Sequence, residues 1–437
     1  MATQDPSLKP TARVLVVGAG GRGHALGEAL KASPSVKQVV YAPGTSGLER
    51  LGFETVPFPV QDIPGLVEHA EMEGYDLTVV GPNTPLVDGI VDQFEAAGLP
   101  IFGPTRAAAR LEGSKVYARL LMRRLEIPTP RFAIADGADR AFYMARAYPW
   151  ARVFKADGIA YDKGVRVTHS FDECEQAIEE VMYDNIYGLE SKRLVVEQRI
   201  DGEEVTLFSL TDGDDVYVLG DVLNYPRLGD GDSGPPTRGM GQVSPAPILG
   251  PELVETIRRE VLLPTVRTLK EDGIPIRGAL FVDLMMVKGE PYVIDYNVRF
   301  GDPATQTMLS AYSGDFYGVL QACRRGEGLA EAIAKLNHDP RPRVSLVLAC
   351  EGYPTRRVRG ATITIDEAHF EADDDLLLYH DGVRFTDPGI ETTGGRTLTI
   401  VAVADTVREA REKAYRAAKV ISFEGMHYRK DIGRLGS

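Results

Sequence analysis

Residues 13–18, Arg-Val-Leu-Val-Val-Gly, constrain the fold more than any other stretch of the chain. A short apolar run stopped by glycine reads as a strand buried on both faces, the kind found in parallel sheets covered by helices. Three similar runs follow, at 36–42, 76–82 and 99–104, with helix-forming sequence at about 24–31 and 86–97. Strands alternating with helices predict a doubly wound α/β domain over about 11–112.

From Ser114 to about Pro130 a helix and a proline-containing link lead to a different pattern. Strands are expected at 150–157, 164–170, 194–200 and 204–220, the last turning at Asp212–Asp214. Residues 224–246 are rich in Gly, Pro and Asp, and loops of that length in compact domains usually carry function. A helix at 252–271 and a strand pair at 278–287 and 291–297 come next. Beyond about 340, strands (VSLVLAC, TLTIVAVA) accompany one amphipathic helix at 407–420. No internal repeat or low-complexity segment is present. The chain has 437 residues, which suggests about three domains at ~150 residues each.

A net charge of −14 gives the chain no electrostatic footprint for nucleic acid or an anionic membrane. Any phosphorylated ligand must be met by local Lys, Arg and backbone N–H groups. Cys174, Cys323 and Cys350 are far apart and odd in number, so neither a disulfide framework nor a zinc site is expected. The seven histidines show no ligand spacing. Residues 1–10 lack the apolar core of a signal peptide, and no apolar run approaches the ~20 residues that span a bilayer. The expected location is the cytoplasm.

Four motifs carry chemistry. Gly18-Ala-Gly20-Gly21-Arg22-Gly23 sits between a strand and a helix, where backbone N–H groups can take a phosphate. A nicotinamide-dependent oxidoreductase would also need a ribose-binding carboxylate at the end of the second strand. That strand ends Tyr41-Ala42-Pro43-Gly44, which argues against it. Lys155-Ala-Asp157-Gly158 through Lys163-Gly164 is a glycine-containing loop with flanking lysines, suited to fold over a triphosphate although it lacks P-loop spacing. Asp283 lies in an apolar strand, Asp295 twelve residues on in the next, and Asn297 two beyond. Alternation puts Asp295 and Asn297 on one face with Asp283 across from them, an all-oxygen set suited to Mg²⁺. The plain alternative is pairing of these carboxylates with Arg277 or Arg299. Arg299-Phe-Gly-Asp302 follows the second of these strands directly, so the Arg299 fork can hold a carboxylate or phosphate.

In this order and spacing, VLVVGAGGRGHAL, DLTVVGPNTPLV, IFGPTRAAARLEGSK, KADGIAYDKGV, VVEQRIDGEEV, VIDYNVRFGDPATQ, GGRTLTIVAVADTVREA and YRKDIG resemble the ATP-grasp superfamily. Over nearly the whole chain they resemble its phosphoribosylamine–glycine ligase (glycinamide ribonucleotide synthetase) family. The resemblance implies an ATP-grasp fold with the α/β domain in front, an ATP-grasp domain at 113–337 whose lid covers about 131–205, and a small C-terminal α/β domain at 340–437. It implies an ATP-dependent amide ligase acting through an acyl phosphate on small-molecule amine and carboxylate substrates, as a monomer or homodimer. ATP would be held by Lys115, Lys155, Asp157, Gly158, Lys163 and Gly164, by Glu197, Gln198, Arg199 and Ile200 as the adenine hinge, and by Glu204. Asp283, Asp295 and Asn297 would bind Mg²⁺ or Mn²⁺. The substrates would meet Gly18, Gly20, Gly21, Arg22, Gly81, Pro82, Asn83, Arg227, Arg238, Gly239, Met240 and Arg299, with Arg299, Asp302 and Lys163 at the chemistry.

The sequence also departs from the family inside these motifs. Gly23 and Asn83 each stand where the family has Glu, Asp295 where it has Glu, and Asp283 where it has Gly. Residues 223–227 (LNYPR) replace QDHKR. Arg238 replaces a glycine, at a position expected to admit only a small residue. These changes suggest a paralogue with a different amine or acid. A homologue that binds without turnover is a further alternative, against which the retained Lys115, Lys155, Lys163, Asn297 and Arg299 argue.

Overall fold

The computed structural model describes residues 10–159, 164–183, 193–387 and 389–434. The first domain is built on five parallel strands in the spatial order Glu54–Thr55, Val36–Pro43, Ala12–Gly18, Leu77–Val80, Ile101–Phe102. Strand order reverses next to Ala12–Gly18, so the ends of that strand and of Leu77–Val80 open a crevice, the usual place for a ligand in such sheets. The helix after the glycine turn runs Gly20–Lys31 and starts earlier than its helix-forming sequence does. The helical stretch at 86–97 is two helices, Asn83–Asp88 and Ile90–Ala96, because Gly89 takes a left-handed φ of 90° between them.

The second and third parts share one antiparallel sheet of eight strands. It runs Glu290–Asn297, Gly278–Val287, Glu203–Thr211, Val216–Asn224, Gly241–Ser244, Arg343–Ala349, Arg396–Val403, Leu376–His380. The C-terminal strands thus continue the ATP-grasp sheet through Gly241–Ser244, and the hydrogen-bond ladder does not stop at residue 340. Helix Val407–Ala418 turns Ala410, Ala414, Ala417 and Ala418 inward, and these small side chains let it lie close on Arg343–Ala349 and Arg396–Val403.

A separate four-stranded antiparallel sheet, Phe132–Ala135, Leu194–Gln198, Ala151–Ala156, Val165–Val167, packs helices Ala138–Ala147 and Phe171–Met182 around its own core of Phe154, Cys174, Ile178 and Val196. This is the lid. The stretch expected as one helix at 252–271 contains a five-residue π turn, Arg258–Leu262, between α-helices Pro251–Ile257 and Leu263–Glu271. Pro264 offers no N–H to the preceding turn, and the wider π turn accommodates that loss. The glycine-rich stretch after residue 224 is also not open loop. It forms a hairpin, Arg227–Gly229 with Ser233–Pro236, and then enters the large sheet at Gly241.

Candidate active site

Lid, large sheet and first domain meet around a cavity of about 500 Å³. On its floor Asp283 and Asp295 face each other across adjacent strands, as the alternation predicted. Asn297 donates to Asp283 at 2.7 Å and Thr206, its partner on the other side, at 2.5 Å. Asn224 donates to Thr206 at 2.8 Å and is itself held by Gln242 at 2.9 Å. Glu204 comes off the same strand as Thr206, two residues earlier, and lines the same wall. Burial, with Asp283 close by, pushes the Glu204 carboxyl up to about 8. Burial also raises the Asp283 carboxyl.

Asp295 is opposite in sign. Burial raises it, but Lys115 and Lys155 outweigh that and hold it below the ordinary value. Lys115 lies 2.6 Å from both Asp295 oxygens. Lys115 and Asp295, expected to bind phosphate and metal separately, are therefore bonded to each other. Neither Arg277 nor Arg299 takes Asp295. Arg277 turns to the Asp212 carbonyl and Arg299 to Glu112 and Asn297.

The donor set fits a magnesium ion. Glu204, Asp283, Asp295 and Asn297 all line the cavity and offer oxygens, the donor type that suits a hard cation. Among the described residues no three acidic, His or Cys side chains converge tightly enough to enclose a metal alone.

Several expected nucleotide residues are held by other protein groups in the structure. Asp157 is buried, accepts from Ser114 (2.7 Å) and from the Val116 N–H (3.2 Å), and pairs with Arg193 at 2.6 Å. It thus takes an N–H from the first turn of helix Lys115–Arg124, whose N-cap is Ser114, where a carboxylate is favoured by the helix dipole. Glu197 is clamped between Arg119 (2.5 Å) and Lys155 (3.2 Å). Lys155 also donates to the Ile294 carbonyl at 2.8 Å. Arg199 pairs with Asp201 and His169, and Gln198, Arg199 and Ile200 stay outside the cavity lining. Gly158 and Gly164 do line the cavity. Lys163 lies outside the described residues.

On the first-domain side Arg22, Pro82 and Asn83 line the cavity. Arg22 donates to the Phe300 carbonyl at 3.0 Å and forms no ion pair among the described residues. Burial, with Arg299 and Arg238 adding repulsion, lowers it to about 10. Asn83 donates to Glu112 at 2.8 Å, and the other Glu112 oxygen accepts the Val298 N–H at 2.9 Å. Gly81 bonds back to Val17, and Gly18 packs on Pro82, which closes the strand ends. The turn at Gly20 and Gly21 does not face the cavity. Gly20 has φ 76°, and a Cβ there would sit 2.6 Å from the Asp381 carboxylate, brought in from the C-terminal part. The helix end expected to take a phosphate thus already has a carboxylate beside it.

Arg238 and Gly239 line the cavity, but Arg227 and Met240 do not. Arg227 bonds the Gly234 carbonyl on its own hairpin. Met240 is fully buried, because its backbone is tied on both sides, to Tyr225 and Val347, and its side chain enters the core. Arg238 fits without strain. Its φ is not positive, unlike that of Gly239 (103°), so a side chain is admitted where only a small residue was expected. Asp302 accepts from Gln306 at 2.8 Å and is gripped by Arg396, which also bonds the Arg238 carbonyl at 3.1 Å. Glu112, Arg119, Asp381 and Arg396 escaped the sequence reading. Glu112, an acid inside the apolar face of Arg106–Gly113, carried the only local signal.

Three family models match in succession. Residues 12–112 match the phosphoribosylglycinamide synthetase N domain, 113–305 its ATP-grasp (A) domain and 343–435 its C domain. The chain belongs to the phosphoribosylglycinamide synthetase family. Among curated members of the family, the phosphoribosylamine–glycine ligase of Vibrio parahaemolyticus is 41% identical over 424 residues, 96% of this chain and 97% of that one. That of Ralstonia nicotianae is 41% identical over 422 residues, covering 96% and 98%. The crystal structure of phosphoribosylamine–glycine ligase from Thermotoga maritima superposes with a TM-score of 0.81 at 30% identity, covering 96% of this chain and all of that one. The biotin carboxylase domain of Hydrogenobacter thermophilus 2-oxoglutarate carboxylase shares the fold, with a TM-score of 0.72 at 16% identity over 95% and 91% of the two chains. The family is one of ATP-grasp ligases forming a C–N bond, and its multidomain α/β fold is the one found here. Among the described residues no helix is long and apolar enough to cross a membrane.

Proposed function

We propose that this protein couples ATP cleavage to amide formation between glycine and phosphoribosylamine. One observation carries the reading: a single cavity brings Lys115, Gly158 and Gly164, the Asp283–Asp295–Asn297 wall, and the Arg22–Asn83 and Arg299–Asp302 walls to one point. The acid's carboxylate oxygen attacks the γ-phosphorus of ATP, the bond to ADP breaks, and an acyl phosphate forms. The amine nitrogen then attacks the acyl carbon, phosphate leaves, and the amine gives up a proton. Mg²⁺, or Mn²⁺ in its place, would be held by Asp283, Asp295 and Asn297 and supplies charge neutralisation on the phosphates.

Lys115, Lys155, Gly158 and Gly164 bind the phosphates in this reading, with Glu204 on the same cavity wall. Lys115 leaves Asp295 as a phosphate arrives. Arg299, steadied by Glu112, orients the acid's carboxylate, while Arg22 and Asn83 meet the phosphorylated amine. Asp302 lies at the junction of these walls. Burial raises its carboxyl, but Arg396 and Arg22 keep it below the ordinary value and thus charged, ready to orient the amine. Rate enhancement comes from positioning and charge, with no covalent enzyme nucleophile. We place the protein in the cytoplasm, as a monomer or homodimer.

A second reading keeps the chemistry and changes a substrate. Arg238 and Arg357 both line the cavity and add cations to the wall that already holds Arg22 and Arg299. An acid larger and more anionic than glycine would suit them. ADP release with Mg²⁺-ATP, glycine and phosphoribosylamine generated in situ, each omitted in turn, tests both. Turnover requiring all three establishes the first reading. Bound nucleotide without turnover, followed by activity with a dicarboxylic amino acid, establishes the second. Absence of turnover with every acid and amine leaves a binding homologue.

A further inference from the structure

The hairpin at Arg227–Pro236 is a poor structure by itself. It has two short strands, a register shift, and an exposed second strand. Isolated two-stranded ribbons are marginal in water. Yet its end delivers Thr237, Arg238 and Gly239 to the cavity. What fixes it comes from the far end of the chain. Arg429, only 2% exposed and outside the cavity lining, donates to the Arg227 carbonyl (3.0 Å) and to Asp232 (3.1 Å). Its other two donor positions go to Asp431 at 2.8 and 2.7 Å. Its guanidinium also lies over the Tyr225 ring.

Neighbouring residues repeat the pattern. Asp431 accepts the Gly231 N–H at 2.8 Å, the Lys430 N–H reaches Asp230 at 2.7 Å, and the Gly433 N–H reaches the Tyr225 hydroxyl at 2.9 Å. Asp232, which Arg429 holds, is one of the few non-glycine residues with positive φ (53°). At the cavity end the Arg238 N–H donates to the Tyr353 hydroxyl at 3.1 Å, and Arg396 takes the Arg238 carbonyl.

We infer that the terminal segment 427–433 is a strap that sets the 225–240 hairpin at the substrate wall, with Arg429 as its positioning residue. The inference rests on the ligase reading for its kinetic consequence. Ile432 is buried in the core and helix Val407–Ala418 holds the backbone of the segment through Arg411 and Tyr415, which leaves the Arg429 and Asp431 side chains to bond the backbone and turn of the hairpin that reaches the cavity. The strap acts on the acid and amine, because the hairpin supplies the wall around Arg238 and not the phosphate loop.

The test compares Arg429→Lys and Asp431→Asn with the parent protein in the ADP-release assay. Lysine keeps the charge but cannot make the fork to Asp431 together with the bonds to the hairpin. KM for glycine or phosphoribosylamine should rise about tenfold, the size of one lost charge-assisted hydrogen bond, while KM for ATP stays within about twofold. Hydrogen exchange across 225–240 should quicken with that across 151–156 unchanged. Equal rises in every KM, or a kcat loss with unchanged KM values, would overturn the inference. If the parent protein shows no turnover with these substrates, the substrate assignment fails. Hydrogen exchange and Mg²⁺-ATP affinity then decide the strap, with unchanged exchange over 225–240 in both variants refuting it.

Discussion

Replacing Arg119 by methionine isolates the joint between lid and core. Arg119 and Glu197 are 2% and 3% exposed and 2.5 Å apart. Arg119 also donates to Thr129, to the Val293 carbonyl (3.0 Å) and to the Ile294 carbonyl (2.8 Å), so one side chain ties helix Lys115–Arg124 to lid strand Leu194–Gln198 and to strand Glu290–Asn297. Methionine would leave Glu197 buried with Lys155 as its remaining partner. Breaking a buried pair by removing one partner costs about 3–5 kcal/mol, and the surviving Lys155 places Arg119→Met near ~3 kcal/mol. Glu197→Leu should cost more, about 5 kcal/mol, because it strands two buried cations, Arg119 and Lys155, instead of one anion.

Trp150, the only tryptophan, lies in the lid, stacked on Tyr148 and under Arg131. Its fluorescence during urea unfolding therefore reports on the affected region. The pair should also loosen the lid, so Mg²⁺-ATP affinity falls in both variants. The reasoning is refuted if Glu197→Leu proves milder than Arg119→Met, or if either costs less than about 1 kcal/mol, the range of an exposed pair.

Three further outcomes are expected. Asp283→Ala should lower kcat/KM by about a hundredfold and move the Mg²⁺ requirement to higher concentration; an unchanged Mg²⁺ titration would remove Asp283 from the site. Arg238→Gly should shift the ratio of kcat/KM for glycine over a dicarboxylic amino acid by about tenfold toward glycine, and an unchanged ratio would reduce Arg238 to a bystander. Asp221 lies beside the Ala246 N–H, and burial pushes its carboxyl up to about 6. A carboxyl raised in the folded state favours folding below its unfolded value near ~4, and that advantage is lost as pH climbs through about 6. Asp221→Asn should therefore be the more stable protein at pH ~8 by about 1–3 kcal/mol, with the difference closing below pH ~4. A Tm difference that is constant across that window would contradict it.

Much of this protein is written locally. Val14–Val17 are apolar and stopped by a glycine, so a parallel strand and its turn follow from a few adjacent residues. Asp283, Asp295 and Asn297 are legible because a strand alternates with period two and a short connection sets two strands side by side. The same locality explains where the cavity lining departs from the expectation. The Gly18–Gly21 turn looked like a phosphate site because sequence shows the N–H groups but not Asp381, some 360 residues away, beside them. Met240 looked like a ligand residue because its neighbours are, yet backbone bonds to Tyr225 and Val347 turn it inward.

Only the tertiary structure could pair Arg119, Glu112, Arg396 and Arg429 with what they hold. Their partners lie 78, 186, 94 and 202 residues away, and several are backbone carbonyls or N–H groups, which every residue possesses and no motif reveals. Sequence alone determined which chemistry the chain carries, because that depends on side-chain type and short-range period. The folded structure decided which charges face the cavity and which hold the walls in place, because a charge is spoken for only once its partner has been brought beside it.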